Sequence, residues 1–324
     1  MGLVGSLQQI LDGHGFPVHN LGLRTLILLN PQARATRGLD RVALAAPWRS
    51  LGTVDVVETA TARAARDSAL EASTSVDVIV AVGGDGTANT IAGVLPGCSA
   101  ALAVLPAGTT NVFARAIGTS RDPLVASAQL AQAVAEGRVE LIRPGRANDR
   151  LFLANAGVGL DAAIVARVES GPRRKRYFGQ GWFAAAALRE VLSLRHQEPL
   201  RLLVRRDGIG EQAAVLVVAL RTGPYTFLGS RALTLMKGTG LRAALDVAWV
   251  PPLGIPRTLA IGLGMLAKRG PQRRVNHSLG VSQVSVSAAC PFGYQVDGEF
   301  VGVTNHVELA LADSPLRVVL PKKT

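Results

Sequence analysis

The first part of the chain alternates short apolar runs with helix-like stretches, and this alternation constrains the fold more than any other feature. The apolar runs cover residues 24–30, 53–58, 76–82 and 100–105, and the clearest helical patterns cover residues 62–72 and 124–136. Strand–helix alternation of this kind predicts a parallel sheet with helices on both faces. Because ligands of such sheets bind where the strands end at their carboxyl edge, we expect a site in the loops that follow these runs.

The chain changes character after Gly145. Short β-rich segments separated by Gly and Pro turns occupy residues 200–206, 213–221, 244–250, 281–288 and 306–311. Such segments are typical of an antiparallel sandwich or barrel. We therefore predict an α/β + β protein with an N-terminal extension (residues 1–22), a Rossmann-like α/β domain (residues 23–146) and a C-terminal β-sandwich domain (residues 147–324), whose last strands can return to the first domain.

Composition excludes several classes of protein. Apolar residues make up 48% of the 324 residues and charged residues 18%, which argues against intrinsic disorder. No apolar run approaches the roughly 18–20 residues needed to cross a bilayer, and the first nine residues lack the basic start of a signal peptide. Two cysteines, Cys98 and Cys290, cannot form a disulfide framework, so we expect a reducing, cytoplasmic setting.

The positive charge is concentrated in the second domain. The formal net charge is +12; residues 1–146 carry 12 basic and 11 acidic side chains, whereas residues 147–324 carry 23 and 12, a balance of +11. The excess lies in short clusters at residues 173–176, 205–206, 268–269, 273–274 and 322–323. Such asymmetry indicates nucleic acid or a membrane surface as a partner, although solvated surface charge explains it equally well. The clusters are not interleaved with aromatic residues, which argues against nucleic acid.

The loop after the third apolar run is the most informative stretch. It reads Gly83-Gly84-Asp85-Gly86-Thr87, with Asn89 two residues later. Its glycines allow the backbone to approach a polyphosphate closely and to direct amides at its oxygens. Asp85 would repel a phosphate unless it holds a magnesium ion or a proton. The alternative is an ordinary βα turn with a capping aspartate.

Two further strand ends carry polar groups. The first run ends at Asn30-Pro31, and the fourth is followed by Pro106-Ala107-Gly108-Thr109-Thr110-Asn111. The chain contains neither the P-loop pattern nor a dinucleotide-binding G-x-G-x-x-G after the first run. Together the three loops predict a nucleotide phosphate site of another kind.

A third candidate lies near the C-terminus, where residues 295–299 read Gln-Val-Asp-Gly-Glu. Asp297 and Glu299 would point to the same face of a strand, because side chains alternate along it. Paired carboxylates can divide labour, one in a metal or proton network and the other as a general base. The alternative is a plain Asp-Gly hairpin turn.

These motifs, in this order, resemble the diacylglycerol kinase catalytic family, which includes bacterial lipid kinases and sphingosine kinases and is distantly related to NAD kinases. The resemblance rests on Asn30-Pro31, on residues 83–89, 108–111 and 113–115, and on residues 297–299. Residues 155–159, 224–229 and 274–277 extend it toward the bacterial members.

The resemblance implies that ATP and Mg²⁺ bind between the domains and that a lipid enters an apolar cavity in the second. It implies that Glu299 accepts the proton, with Asp297 beside it, and that Asp85 takes part in catalysis and holds the metal with the ATP phosphates. The implied nucleotide-binding residues are Asn30, Pro31, Thr59 (or Thr61), Gly83, Gly84, Asp85, Gly86, Thr87, Asn89, Gly108, Thr109 and Asn111.

Two stretches of the chain depart from the family pattern. Val112 replaces the acidic residue that usually follows the asparagine. Arg242 and Ala243 stand where some members place acidic residues for a second, structural magnesium. The first change removes a carboxylate from the metal–water network, and the second makes the structural metal doubtful.

We expect an ATP-dependent lipid kinase that transfers the γ-phosphate to a lipid hydroxyl, with diacylglycerol as the default substrate and phosphatidic acid as the product. The basic second domain would bind an anionic membrane peripherally. The sequence leaves open a phosphotransferase acting on a soluble substrate, as NAD kinases do, and a weakly active lipid-binding or regulatory member. It also leaves monomer and homodimer open.

Overall fold

A computed structural model describes residues 20–171, 180–193, 202–206, 209–236, 239–241, 244–266 and 275–322. The helices in this part of the chain are α1 (Arg41–Arg49), α2 (Ala62–Ala72), α3 (Asp85–Ala92), α4 (Val112–Ala116), α5 (Pro123–Ala135), α6 (Leu160–Glu169), α7 (Gln180–Ser193) and α8 (Ile255–Leu266). The strands are β1 (Leu23–Leu29), β2 (Gly52–Glu58), β3 (Val78–Gly83), β4 (Ala101–Pro106), β5 (Val139–Ile142), β6 (Gly145–Ala147), β7 (Arg150–Phe152), β8 (Asn155–Gly159), β9 (Leu202–Arg206), β10 (Ile209–Ala214), β11 (Leu216–Leu220), β12 (Thr226–Leu228), β13 (Arg231–Leu233), β14 (Leu245–Val250), β15 (Asn276–Val281), β16 (Gln283–Val296), β17 (Glu299–Leu311) and β18 (Leu316–Val319).

The first domain is built on a six-stranded sheet with the order β2-β1-β3-β4-β18-β5. β1 to β4 pair in parallel, as the sequence predicts. Successive side chains of β1 enter two different cores: Leu26 and Leu28 pack with α2, α3 and α4, whereas Ile27 and Leu29 pack with α1 and α5. Burial on both faces explains why the strands are continuous apolar runs rather than alternating ones.

Local signals set the helix boundaries of this domain. Asp40 caps α1 by accepting from the amide of Val42 (2.8 Å), and Asp122 caps α5 by accepting from the amide of Leu124 (2.9 Å). A capping side chain satisfies amides that have no partner within the helix. α5 therefore begins one residue earlier than the pattern of apolar residues predicts.

The second domain is an antiparallel sheet of ten strands, which confirms the β-rich prediction for this region. The long strand β16 pairs with β17 along its length, with β8 near its C-terminal end and with β9 near its N-terminal end. The sheet therefore divides at β16, and its two branches enclose one apolar core. The predicted strand at residues 213–221 is two strands, because the backbone of Val215 leaves the ladder to bond Val250 and Leu160.

The last strand lies in the first sheet. β18 pairs in parallel with β4 and antiparallel with β5. The chain thus crosses from the first sheet to the second after β5 and returns before β18, so two connections join the sheets.

Arg221 ties one of these connections to the second sheet. Its guanidinium Nε donates to the carbonyl of Arg143 (2.7 Å), in the segment between β5 and β6, and its NH1 donates to the carbonyl of Ala244 (3.1 Å). The residue is only 2% exposed. The neighbouring carboxylate of Asp246 partly balances its charge.

Replacing Arg221 by Ala is expected to lower the free energy of unfolding by about 3–5 kcal/mol, because it leaves buried carbonyls and the Asp246 carboxylate without their cation. Urea denaturation would measure the change. Arg24→Ala removes a cation whose side chain is 59% exposed in a surface ion pair, and its loss should stay below about 1 kcal/mol. Equal losses in the two variants would contradict a special role for Arg221.

Candidate active site

Three loops meet at the carboxyl edge of the first sheet, as predicted. The amide of Asn30 donates to the carbonyl of Val82 (2.9 Å), which joins the ends of β1 and β3. The amides of Ala107 (2.7 Å) and Gly108 (3.1 Å) both donate to the carbonyl of Gly83, which joins the ends of β3 and β4. The polar strand ends therefore form one continuous surface of backbone.

Side chains larger than glycine would not fit at two positions of this surface. A Cβ atom on Gly108 would lie 2.5 Å from the Cα of Gly84, and one on Gly83 would lie 2.5 Å from the Cβ of Thr87. Asn111, in the left-handed region at φ 50°, closes the second loop. Its side chain accepts from the amide of Gly108 (2.9 Å) and donates to the same residue's carbonyl (3.0 Å). The Asn111 amide is thus used to shape the loop.

Asp85 is the first residue of α3, and its environment disfavours ionisation. Its Oδ1 lies 3.4 Å from the donating amide of Phe113 at the start of α4. Burial raises the pKa of Asp85 from 3.8 to about 7, with a further contribution from the Asp297 carboxylate, although backbone donors at residues 111–113 oppose the shift. Asp85 therefore changes charge near neutral pH.

The other predicted nucleotide contacts follow the ends of strands at the same edge of the sheet. The side-chain amide of Asn30 donates to the hydroxyl of Thr87 (3.2 Å). Thr59, at the end of β2, is 2% exposed, and its hydroxyl has no hydrogen-bond partner among the described residues. Thr61 instead caps α2 by accepting from the amide of Ala64 (3.1 Å). Pro31 is half-buried and Thr109 is exposed at the same edge of the sheet.

Residues 297–299 form the turn between β16 and β17, so the Asp-Gly hairpin and the paired carboxylates of the sequence are the same object. Val296 pairs with Glu299, and the two central residues have positive φ, 47° at Asp297 and 83° at Gly298. Positive φ at both central positions is the requirement of a type I′ turn.

The Asp297 carboxylate is fully occupied by donors. Its Oδ2 accepts from the Leu153 amide (2.7 Å) and the Asn89 side chain (2.6 Å), and its Oδ1 accepts from the amides of Ala154 (2.8 Å) and Asn155 (3.0 Å). Burial raises the pKa of Asp297 and these donors lower it, with burial the larger cause. A carboxylate has about four acceptor positions, and all of them are used here. Because the donors lie on α3 and at residues 153–155, Asp297 connects α3 to the second domain.

Glu299 reaches residues 83–87, which we call the phosphate loop after their predicted role. A Cβ atom on Gly86 would lie 1.8 Å from Oε1 of Glu299, so the carboxylate rests against the backbone of that glycine. Glu299 is exposed. The fold thus brings Glu299 and Asp85 to one loop, with Asp297 behind them.

The departures from the family pattern divide between two parts of the chain. Val112 is 7% exposed and packs in the core beside α3. Arg242 and Ala243 lie outside the described residues, as do the basic clusters at 173–176, 268–269 and 273–274 and the side chains at 205–206.

An apolar cavity of about 370 Å³ lies in the second domain. Aliphatic side chains of α6, α7, α8, β11 and the β12–β13 hairpin make most of its wall. Asp161 and Tyr225 are polar residues on this wall, and the Tyr225 hydroxyl donates to the Asp161 carboxylate. Burial is the main cause that raises the pKa of both groups.

No motif in the sequence predicts a role for Asp161, Tyr225 or Gln295. The available signal was Asp161 within the otherwise apolar start of α6. Its partners come from distant strands, so no local pattern could identify them.

Comparisons with known proteins agree with this architecture. Residues 24–143 match the family model "Diacylglycerol kinase catalytic domain". A protein of Bacillus subtilis named "Diacylglycerol kinase" is 33% identical over 147 residues, which are 45% of each chain. A Pseudomonas putida protein named "Probable lipid kinase YegS-like" is 33% identical over 196 residues, 59% of this chain and 62% of that one. The alignments thus span about half to three fifths of these curated relatives.

A crystal structure of a diacylglycerol kinase from Bacillus anthracis shares the fold of both domains. It superposes with a TM-score of 0.66 over 92% of this chain and 96% of that chain, at 18% sequence identity. No helix among the described residues has the length and apolar character needed to cross a membrane. The resemblance inferred from the motifs is confirmed: residues 24–143 match the catalytic domain of diacylglycerol kinases, and two lipid kinases are similar in sequence.

Proposed function

We propose that the chain is an ATP-dependent lipid kinase. The observation that carries the proposal is the contact of Glu299 with Gly86, which brings a carboxylate of the second domain to the phosphate loop of the first. A kinase needs such a group where the transferred phosphate meets the acceptor hydroxyl. The apolar cavity in the second domain supports a lipid as the acceptor.

In the proposed reaction the lipid hydroxyl oxygen attacks the γ-phosphorus of ATP while its proton passes to a Glu299 oxygen. The bond between the γ-phosphorus and the β,γ-bridging oxygen breaks, and ADP leaves. The chain contributes mainly position and charge. The backbone at residues 83–87 and the N-terminus of α3 would hold the phosphates, and the remaining predicted contacts, from Asn30 to Asn111, would complete the nucleotide site.

The residues present fit a magnesium ion that is shared with ATP. No group of three or more His, Cys, Asp or Glu side chains that could hold a metal alone occurs in the described residues. Mg²⁺ commonly binds through one or two carboxylates together with substrate phosphates. Asp85 would be that carboxylate, because its site beside Asp297 already disfavours an uncompensated negative charge. When bound, the ion would neutralise charge on the phosphate oxygens.

We propose that Asp297 acts by position. Its four donors occupy the acceptor sites that a proton would need, and it fixes the turn that carries Glu299. The names of the curated relatives support diacylglycerol as the lipid, with phosphatidic acid as the product.

A labelled-ATP assay tests the function. The acceptors are diacylglycerol, a sphingoid base and a long-chain alcohol in detergent micelles, and NAD in solution. Label should enter a lipid, and Asp85→Ala should abolish the transfer. Label in NAD alone would establish the soluble-substrate alternative. Lipid binding without transfer would establish a catalytically weak member. This alternative is motivated by Val112, which stands where the family pattern has an acidic residue.

The charge of the second domain predicts salt-dependent membrane binding. Each well-placed basic residue contributes about 1 kcal/mol toward an anionic surface, and residues 147–324 carry a balance of +11. Sedimentation with vesicles containing phosphatidylglycerol should fall steeply between about 0.1 and 0.5 M NaCl, since screening lengths shorten over this range. Neutral vesicles are the control, and salt-independent binding would assign the charge to ordinary surface solvation.

A further inference from the structure

A buried polar network connects the apolar cavity to the turn that carries Glu299. On the cavity wall, the Tyr225 hydroxyl donates to Oδ1 of Asp161. Nε2 of Gln295 donates to Oδ2 of Asp161 (2.7 Å) and to Oδ1 of Asn155 (3.0 Å). Oε1 of Gln295 accepts from the amide of Gly298 (2.8 Å). Two hydrogen bonds therefore lead from the cavity wall to the residue that precedes Glu299 in the chain.

The network fixes the orientation of the Gln295 amide. The side chain is 1% exposed, so water cannot replace its partners. Its NH₂ group faces two oxygens and its carbonyl faces an N–H, so a flipped amide would oppose acceptor to acceptor and donor to donor. Gly157 leaves the necessary room, because a Cβ atom there would lie 1.5 Å from Oδ2 of Asp161 and 2.7 Å from Nε2 of Gln295.

The turn does not need Gln295 in order to form. The Val296–Glu299 pair and the positive φ values at its centre close the hairpin, and the Asp297 carboxylate anchors it to residues 153–155. The bond to the amide of Gly298 adds a separate constraint at the second central residue of the turn. An apolar residue of similar length at position 295 would leave the hairpin closed, and would remove that constraint together with the bonds to Asp161 and Asn155.

We propose that Gln295 is a positioning residue that holds Glu299 against Gly86 and links its position to the polar end of the cavity. The inference rests on the proposed lipid kinase function, because Glu299 is the base of that reaction. The network predicts that a lipid in contact with Asp161 or Tyr225 changes the hydrogen bonding of the turn without contacting the turn itself. Positioning errors of about 1 Å can cost about 10²-fold in rate.

The kinetic test is a double-mutant cycle of Gln295→Met with Glu299→Gln. Gln295→Met alone should lower kcat by about 10- to 100-fold and change the KM for ATP by less than about threefold. In the Glu299→Gln background the same substitution should change the rate by less than about threefold, because the group that it positions is gone. Equal losses in both backgrounds would assign Gln295 a merely structural role, and unchanged kcat would also overturn the proposal.

Val286→Ala is the matched control for lost stability. Val286 lies on the same strand, is fully buried in the core of the second domain and is remote from the turn. It should lower the unfolding temperature without changing kcat. A loss of kcat as large as that of Gln295→Met would overturn the proposal.

Hydrogen exchange separates this inference from the proposed function. In Gln295→Met the Gly298 amide should exchange at least about tenfold faster, whereas the Asp297 amide, which donates to the carbonyl of Asn155 (2.8 Å), should be unchanged. Decanol should alter Gly298 exchange in the wild type and not in the variant. Absence of label transfer to every lipid would refute the kinase proposal alone, whereas unchanged Gly298 exchange would refute the positioning role alone.

Discussion

Replacing Glu299 by Gln is expected to lower kcat by about 10²–10⁴-fold, the range that general-base catalysis supplies. Glutamine keeps the shape of the side chain against Gly86 but cannot take a proton from the acceptor hydroxyl. The ATP dissociation constant should stay within about threefold, because the backbone of the phosphate loop is unchanged. Single-turnover transfer and nucleotide binding, measured on the same preparation, would separate the two effects.

Glu308→Gln is the matched control. Glu308 lies on the same strand and forms a partly exposed ion pair with Arg146 (2.8 Å), far along β17 from the turn. The same change of charge there should leave kcat within about twofold, since a surface pair contributes about 1 kcal/mol or less to stability. A Glu299→Gln enzyme with wild-type kcat would remove Glu299 from the mechanism and leave the phosphate loop to act with another base.

Burial and local turn chemistry explain how much of the fold the sequence could predict. The runs at residues 24–30 and 100–105 are buried on both faces, so their composition identifies them as central strands. The branching of the second sheet at β16 could not be predicted, because β16 pairs not only with the adjacent β17 but also with β8 and β9, which lie far from it in sequence. A return of the last strands to the first domain could be named as a possibility, but the pairing of β18 with β4 and β5 joins strands that are distant in sequence.

The same distinction between local patterns and long-range contacts applies to the site. Each of the three predicted nucleotide loops is local, so its residues could be named from motifs. What joins the loops to the turn is not local: Glu299 and Gly86 meet across two domains, and the donors to Asp297 come from β7–β8 and α3. The motif at residues 297–299 could be identified as a pair of carboxylates, but its division of labour depends on which oxygens already have partners.

Asp85→Asn is expected to stabilise the metal-free protein above neutral pH while abolishing transfer. Asp85 has a folded-state pKa of about 7 against an ordinary value of 3.8. The folded protein therefore binds this proton more tightly than the unfolded chain. Asp85 does not lower the free energy of unfolding below pH about 4, where the folded and unfolded states are both protonated. The destabilisation grows as the pH rises toward 7 and is complete above it.

The difference between a pKa of 3.8 and one of about 7 sets an upper limit of about 4 kcal/mol on this destabilisation. We expect about 1–2 kcal/mol, because the carboxylate is partly open to solvent. Asp85→Asn should therefore unfold a few degrees above the wild type at pH 8 and at the same temperature near pH 4. Asp149→Asn, a change at an exposed turn outside the site, should give no such pH-dependent difference. Scans of unfolding temperature against pH would show the divergence.

Magnesium and ATP together should make the wild type unfold at a higher temperature than Asp85→Asn at pH 8. In the wild type at pH 8 they would compensate the Asp85 charge and raise the unfolding temperature by binding only the folded state. Asp85→Asn lacks the proposed metal ligand and should show a smaller rise. A stability difference that is the same at every pH would show that burial of the Asp85 charge is not its cause. An equal rise in both proteins would place the magnesium on another group.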